Sequence, residues 1–181
     1  MPGLFTRHEH GSNKARNWSL SPSREVLILG ASNISRLPLV HDPRVQVDSF
    51  PGANLAQAAT IIRKNTVVLS FGLSDRDIWD STLLVNDLRR LLNAARDTFP
   101  NADIRVPIIN ISAHSSPLQM ENIRILNQQN FHTHQSLPKL RRSAFTTERD
   151  HVHWSPDTAV AMWEHWASLL GLGIQSSTLH R

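Results

Sequence analysis

The chain has 181 residues, of which 40% are hydrophobic and 19% are charged. This length and composition suit one globular domain with a core of its own. The absence of cysteine excludes a disulfide framework, a thiolate metal site and a cysteine nucleophile. The formal net charge of +4 is spread without a block of five like charges. Such a surface is typical of a solvated exterior, or of weak, salt-sensitive contact with nucleic acid.

The ends of the chain differ from its middle. Residues 1–23 are polar and lack periodicity, so we predict a flexible N-terminal tail, a domain over 24–171 and a C-terminal tail over 172–181. No apolar run suits a signal peptide or a membrane span. We therefore expect an intracellular protein, in the cytoplasm or the nucleus.

Strand-like and helix-like segments alternate through the predicted domain. The segments with the apolar or alternating pattern of strands are 26–29, 45–50, 66–71 and 104–109. The segments with apolar residues at helical spacing are 53–64, 81–99, 117–129 and 155–170. Asp80 or Ser81 is expected to cap the second helix, and Ser155, followed by Pro156, the last one. Pro107 predicts an edge position or a bulge for the fourth strand. The alternation predicts an α/β fold with a mostly parallel sheet and helices on both faces.

Three of the strands are followed by short polar turns that contain glycine. The turns read GASN at 30–33, PGAN at 51–54 and GLSD at 72–75. The carboxyl ends of parallel strands meet at one edge of the sheet, where ligands bind. The sequence therefore predicts a site formed by these turns.

Ser32, in the first turn, admits three interpretations: helix cap, part of a dinucleotide site, or nucleophile. A dinucleotide site is disfavoured because positions 33–36 hold no glycine and the chain has no tyrosine for short-chain dehydrogenase chemistry. A serine nucleophile needs an imidazole base and an acid that orients it. Asp150 and His153, three residues apart before the last helix, offer such a pair, although they can equally form a structural surface pair.

The blocks GASN, PGAN, FGLSD and DHVHW, in this order, resemble those of the SGNH hydrolase (GDSL esterase/lipase) superfamily over about residues 25–170. A weaker resemblance is to SGNH-type domains encoded by retrotransposons. The resemblance implies a flavodoxin-like, three-layer α/β/α sandwich with about five strands. It also implies that Ser32 is the nucleophile, His153 the base and Asp150 its orienting acid, with Gly52 and Ser74 in the oxyanion hole.

Two positions depart from the family pattern. Ala31 replaces an acid, and Ser74 stands where the family has an asparagine that donates to the oxyanion. Loss of one such donor typically costs about 10²–10³ in turnover. Asn54 and Asn110 follow strands and are candidate substitutes.

Two functions follow from these observations. The first is hydrolysis of a small ester or acetyl substrate, with no metal or organic cofactor. The spacing of His151 and His153 lacks a third clear zinc ligand. The second is an SGNH-like scaffold with impaired catalysis that binds nucleic acid or protein. Neither the exact substrate nor the oligomeric state follows from the sequence.

Overall fold

A computed structural model describes residues 3–9, 18, 20–61, 66–100, 102–133 and 135–172. Within these ranges the chain forms six strands and four α-helices. The strands are β1 (Leu4–Arg7), β2 (Val26–Gly30), β3 (Val45–Ser49), β4 (Thr66–Ser70), β5 (Ile104–Pro107) and β6 (Gln135–Leu137). The helices are α1 (Leu55–Ile61), α2 (Ser81–Thr98), α3 (Pro117–Thr133) and α4 (Pro156–Leu169).

All six strands belong to one sheet in the order β1-β3-β2-β4-β5-β6, and every described pairing is parallel. The parallel α/β prediction is therefore confirmed, with six strands where about five were expected. β1 lies inside the predicted N-terminal tail, where it pairs with β3 from Leu4 to Arg7. The rest of the division into tails and domain stays a prediction, and residues 173–181 of the predicted C-terminal tail lie outside the described residues. So do residues 62–64, the predicted end of the first helix.

Side chains that alternate along β2 enter two cores on opposite faces of the sheet. Leu27 and Leu29 pack with apolar residues of α1 and α2, whereas Val26 and Ile28 pack with those of α4. All five residues of β2 are buried, as expected for a central strand covered on both faces. The result is the three-layer α/β/α sandwich that the resemblance implied.

The prediction of an edge position for the strand with Pro107 is wrong. β5 lies between β4 and β6. The described pairing with β4 covers Ile104 and Arg105 only, so Pro107 lies beyond it and interrupts no ladder on that side. On the other side, Pro107 pairs with Leu137 of β6.

The predicted helix caps are present. The Asp80 carboxylate accepts a hydrogen bond from the Thr82 N–H at 2.8 Å at the start of α2. The Ser155 hydroxyl accepts one from the Thr158 N–H at 3.2 Å, with Pro156 in the first turn of α4. Because α4 begins three residues after His153, its cap also fixes where the chain leaves the His153 turn. In the described part of the chain, no helix has the length and apolar character needed to cross a bilayer.

Candidate active site

The turn after β2 carries Ser32 at the carboxyl edge of the sheet. Gly30 is required at its start, because a Cβ atom there would lie 2.4 Å from Ile34 Cγ1 and 2.6 Å from the Ser70 carbonyl oxygen. A short 3₁₀ turn follows at Ile34–Arg36, and its N-cap position is held by Asn33 with no capping bond from a side chain. Ser32 therefore does not cap a helix, and its hydroxyl is available for another partner.

That partner is His153. Ser32 Oγ lies 3.0 Å from His153 Nε2, although 121 positions separate the two residues in the chain. On the other side of the ring, His153 Nδ1 is hydrogen-bonded to Asp150 Oδ2. An Nδ1–H that donates to the carboxylate leaves Nε2 as the acceptor for the serine proton. The structure thus brings Ser32, His153 and Asp150, the three predicted residues, into one chain of hydrogen bonds.

Asp150 is also bonded to the backbone of its own turn. Its Oδ1 accepts hydrogen bonds from the N–H groups of Val152 and His153, both at 3.0 Å. The His153 backbone N–H, the His153 ring and the Val152 N–H together hold the pKa of Asp150 well below its ordinary value. The carboxylate is therefore ionised at neutral pH, as an acid that orients an imidazole must be.

The turn is closed by backbone bonds on either side of it. The Glu148 N–H donates to the His153 carbonyl oxygen at 2.8 Å, and Thr147 forms an antiparallel bridge with Trp154. At its tip His151 has φ 58°, a left-handed conformation that non-glycine residues rarely adopt. The exposed ring of His151 stacks on that of His114, with 3.7 Å between centroids, and both residues line the cavity that also contains Ser32.

Candidate oxyanion donors lie on three turns. Among the described residues, neither the Ser32 N–H nor the Gly52 N–H donates a hydrogen bond to a protein acceptor. Gly52 has φ 81°, so its turn requires glycine. Ser74 is exposed in the 3₁₀ turn Leu73–Asp75 and lines the same cavity as Ser32. Gly52 is not among the described residues that line this cavity.

The two asparagines considered as substitutes have other partners. Asn54 Oδ1 accepts from the Gln57 N–H at 2.8 Å, which makes Asn54 the cap of α1. Asn110 lines the cavity, but its Nδ2 donates to the Leu140 carbonyl oxygen at 3.1 Å. Asn54 is not among the described residues that line the cavity, whereas Asn110 has a second N–H on Nδ2, so Ser74 and Asn110 are both candidate side-chain donors to an oxyanion.

The third turn also holds a buried carboxyl group. Asp75 is 3% exposed, and its Oδ2 accepts the N–H of Leu55, the first residue of α1, at 3.2 Å. Burial raises the pKa of Asp75 to about 6 although the Leu55 bond opposes the rise; the charge of Asp87 adds to it. Asp75 thus connects the turn of Ser74 to the helix that follows Gly52.

The cavity at this edge has a volume of about 310 Å³. The turns after β2, β4 and β5 and the His153 turn all contribute to its walls. The turn after β5 adds Ser112, His114 and Ser115, which no motif in the sequence singled out. Met162 and Trp166 of α4 also line the cavity. A small molecule next to Ser32 would therefore contact both polar and apolar groups.

One group of side chains in the described residues has the spacing of metal ligands: Glu148, Asp150 and His153, with ligand atoms within 4.8 Å of one another. Each already has a protein partner. Glu148 is paired with Arg36, and Asp150 with His153. Of the two histidines considered for zinc in the sequence, His153 belongs to this group and His151 does not.

Comparison with known proteins identifies the fold. No protein-family model and no curated protein sequence matches the chain. A solved member of the lipolytic G-D-S-L family from Veillonella parvula matches with a TM-score of 0.59 at 14% identity, over 82% of this chain and 99% of that one. An acetyl esterase mutant with an acetate ion matches with a TM-score of 0.58 at 15% identity, over 82% and 97%.

A third match is the esterase domain of the ZfL2-1 ORF1 protein from the zebrafish ZfL2-1 retrotransposon. It is 23% identical over 81% of this chain and 98% of that chain, with a TM-score of 0.44. A retrotransposon domain is thus among the matches, as the weaker resemblance implied, although this TM-score is too low to bear on function. The chain has the fold of the G-D-S-L (SGNH) esterases.

Proposed function

We propose that the chain is a serine hydrolase of SGNH type that cleaves ester or acetyl groups of a small substrate. The observation that carries the proposal is the 3.0 Å hydrogen bond between Ser32 Oγ and His153 Nε2. Serine is a poor nucleophile until a neighbouring base accepts its proton. The similarity of the fold to an acetyl esterase supports the same conclusion.

In the proposed reaction Ser32 Oγ attacks the ester carbonyl carbon and its proton passes to His153 Nε2. Ionised Asp150 stabilises the imidazolium. The negative charge on the carbonyl oxygen is stabilised by the Ser32 N–H and the Ser74 hydroxyl, which belong to residues that line the cavity, and the family resemblance adds the N–H of Gly52. As the tetrahedral intermediate collapses, His153 returns the proton to the alcohol that leaves. Water then attacks the acyl-Ser32 ester with His153 again as the base, which releases the acid and frees the serine.

A fluorophosphonate probe tests the proposal, because it reacts covalently with activated serines. We expect the protein to be labelled, and the label to be lost in Ser32→Ala. The matched control is Ser168→Ala, on the exposed side of α4, which should be labelled like the original chain. Asp150→Asn should lower the turnover of an aryl acetate by about 10⁴, the effect of that change in a serine protease triad. A folded protein without label would contradict the proposal.

The net charge of +4 supports the second function, a binding module for nucleic acid. If this second function is correct, the folded protein is not labelled by the fluorophosphonate probe but binds single- or double-stranded nucleic acid. Binding through the basic surface must weaken steeply as salt is added, because phosphate contacts release counterions. Affinity that does not change with salt would contradict this version of the function.

A further inference from the structure

We propose that Asn33 is a positioning residue, which holds the turn of His153 against the turn of Ser32. This inference rests on the proposed function, since it concerns how the base reaches the nucleophile. The residue follows Ser32 directly in the chain, and no motif in the sequence assigned it a role.

Asn33 contacts the backbone on both sides of His153. Its Oδ1 accepts the Trp154 N–H at 3.0 Å, and its Nδ2 lies 3.5 Å from the Val152 carbonyl oxygen, at the outer limit of a hydrogen bond. Both neighbours of His153 are therefore bonded to one side chain. Asn33 is only 8% exposed, so water competes little for these bonds.

Asparagine suits this position because its amide offers an acceptor and a donor on one short, planar group. The acceptor faces a backbone N–H and the donor faces a backbone carbonyl, two positions apart along the His153 turn. An alanine would leave the buried Trp154 N–H without its acceptor. The His153 turn is then expected to shift so that this N–H can reach another acceptor.

A second, outer connection joins the same two turns. Arg36, at the end of the 3₁₀ turn after Ser32, is paired with Glu148 at the base of the His153 turn. The side chains of Arg36 and Glu148 are 30% and 37% exposed, so solvent screens this ion pair more than it screens the hydrogen bonds of Asn33. The more buried connection, through Asn33, is the one that determines how the His153 backbone lies next to Ser32.

The consequence is kinetic. A displacement of about 1 Å between a nucleophile and its base can cost about 10²-fold in rate, while the binding of substrate is little affected. In Asn33→Ala we therefore expect kcat for an aryl acetate to fall about 10- to 100-fold with KM within about twofold. The rate of fluorophosphonate labelling should fall in parallel, because it reports the activation of Ser32 alone.

A double-mutant cycle with His153→Ala separates positioning from a structural role. If Asn33 acts through the imidazole, its removal changes the residual activity of His153→Ala less than about twofold. An equal fall in both backgrounds would overturn the proposal. Gln46→Ala is the control for stability. Gln46 is a buried amide that accepts a hydrogen bond from the Ser23 N–H and donates one to the Ser21 carbonyl oxygen, and it does not belong to the residues that line the cavity. The substitution should lower the melting temperature and leave kcat unchanged.

Asn33→Asp serves as a second variant if the alanine variant does not fold. It keeps the acceptor for the Trp154 N–H and loses the donor to the Val152 carbonyl. A fall in kcat of about threefold or more that disappears in the His153→Ala background supports the proposal. Unchanged kcat in a folded, labelled protein overturns it. Failure of the proposed function itself is distinguishable, since the original chain would then not be labelled at Ser32.

Discussion

Asp75 is a buried carboxyl group whose pKa is raised, and Asp75→Asn tests the effect of its charge on stability. The carboxyl group is 3% exposed and its pKa is raised from 3.8 to about 6 by burial. Asparagine has the same shape and keeps an acceptor for the Leu55 N–H, but it carries no charge. The substitution therefore removes the cost of a buried carboxylate and retains the contact with α1.

The magnitude follows from proton linkage. The folded state holds the Asp75 proton up to about pH 6, whereas the unfolded chain releases it near 3.8. The folded state therefore binds more protons in this window, and the free energy of unfolding falls as the pH rises through it. At about 1.4 kcal/mol per pKa unit, and because the unfolded chain has already released part of this proton at pH 4, Asp75 alone lowers stability by about 2 kcal/mol between pH 4 and pH 7. Asp75→Asn lacks this loss.

The assay compares urea unfolding of the two proteins at pH 4 and at pH 7. The stability of Asp75→Asn relative to the original chain should rise by about 2 kcal/mol between these pH values, which corresponds to about 4–8 °C in melting temperature for a domain of this size. Asp97→Asn, at an exposed position of α2, should show no such change. A relative change below about 1 kcal/mol would show that Asp75 ionises freely in the folded state, and the reasoning would be wrong.

Three further predictions concern the oxyanion donor, the core and a helix cap. Ser74→Asn should raise kcat on an aryl acetate by about tenfold or more, because the longer amide reaches further than a hydroxyl; an unchanged or lower kcat would show that Ser74 is not the oxyanion position. Leu91→Ala, at a residue 2% exposed, should cost about 2–5 kcal/mol in urea unfolding, whereas Leu83→Ala, 47% exposed, should cost much less; equal costs would contradict the assigned core face of α2. Ser155→Ala should cost about 1 kcal/mol, because the Thr158 N–H loses its cap; no loss would mean that water replaces the cap.

Much of the architecture follows from local patterns. The alternation of Val26, Leu27, Ile28 and Leu29 between two cores is a property of any strand whose side chains point to opposite faces. Helical spacing of apolar residues and the cap at Ser155 likewise act over a few residues. Such features are determined by near neighbours in the chain, so the sequence alone predicts them.

The two edge strands were not predictable in this way. β1 and β6 have four and three residues, too few to show a period. Each is a strand because a neighbour, β3 or β5, offers a row of backbone groups to which it can bond. That partner is remote in the chain, so the pattern within the segment carries no signal of it.

The candidate site divides along the same line. The sequence offers Ser32, Asp150 and His153 as candidates because an activated serine needs those residue types, and the resemblance to the SGNH hydrolases gives them their expected roles. The 3.0 Å approach of Ser32 to His153, the bonds of Asn33 to the His153 turn and the stacking of His114 on His151 exist only in the folded chain. Contacts between residues this far apart in the chain depend on how the sheet brings its turns together, and no local preference of the residues encodes their distances.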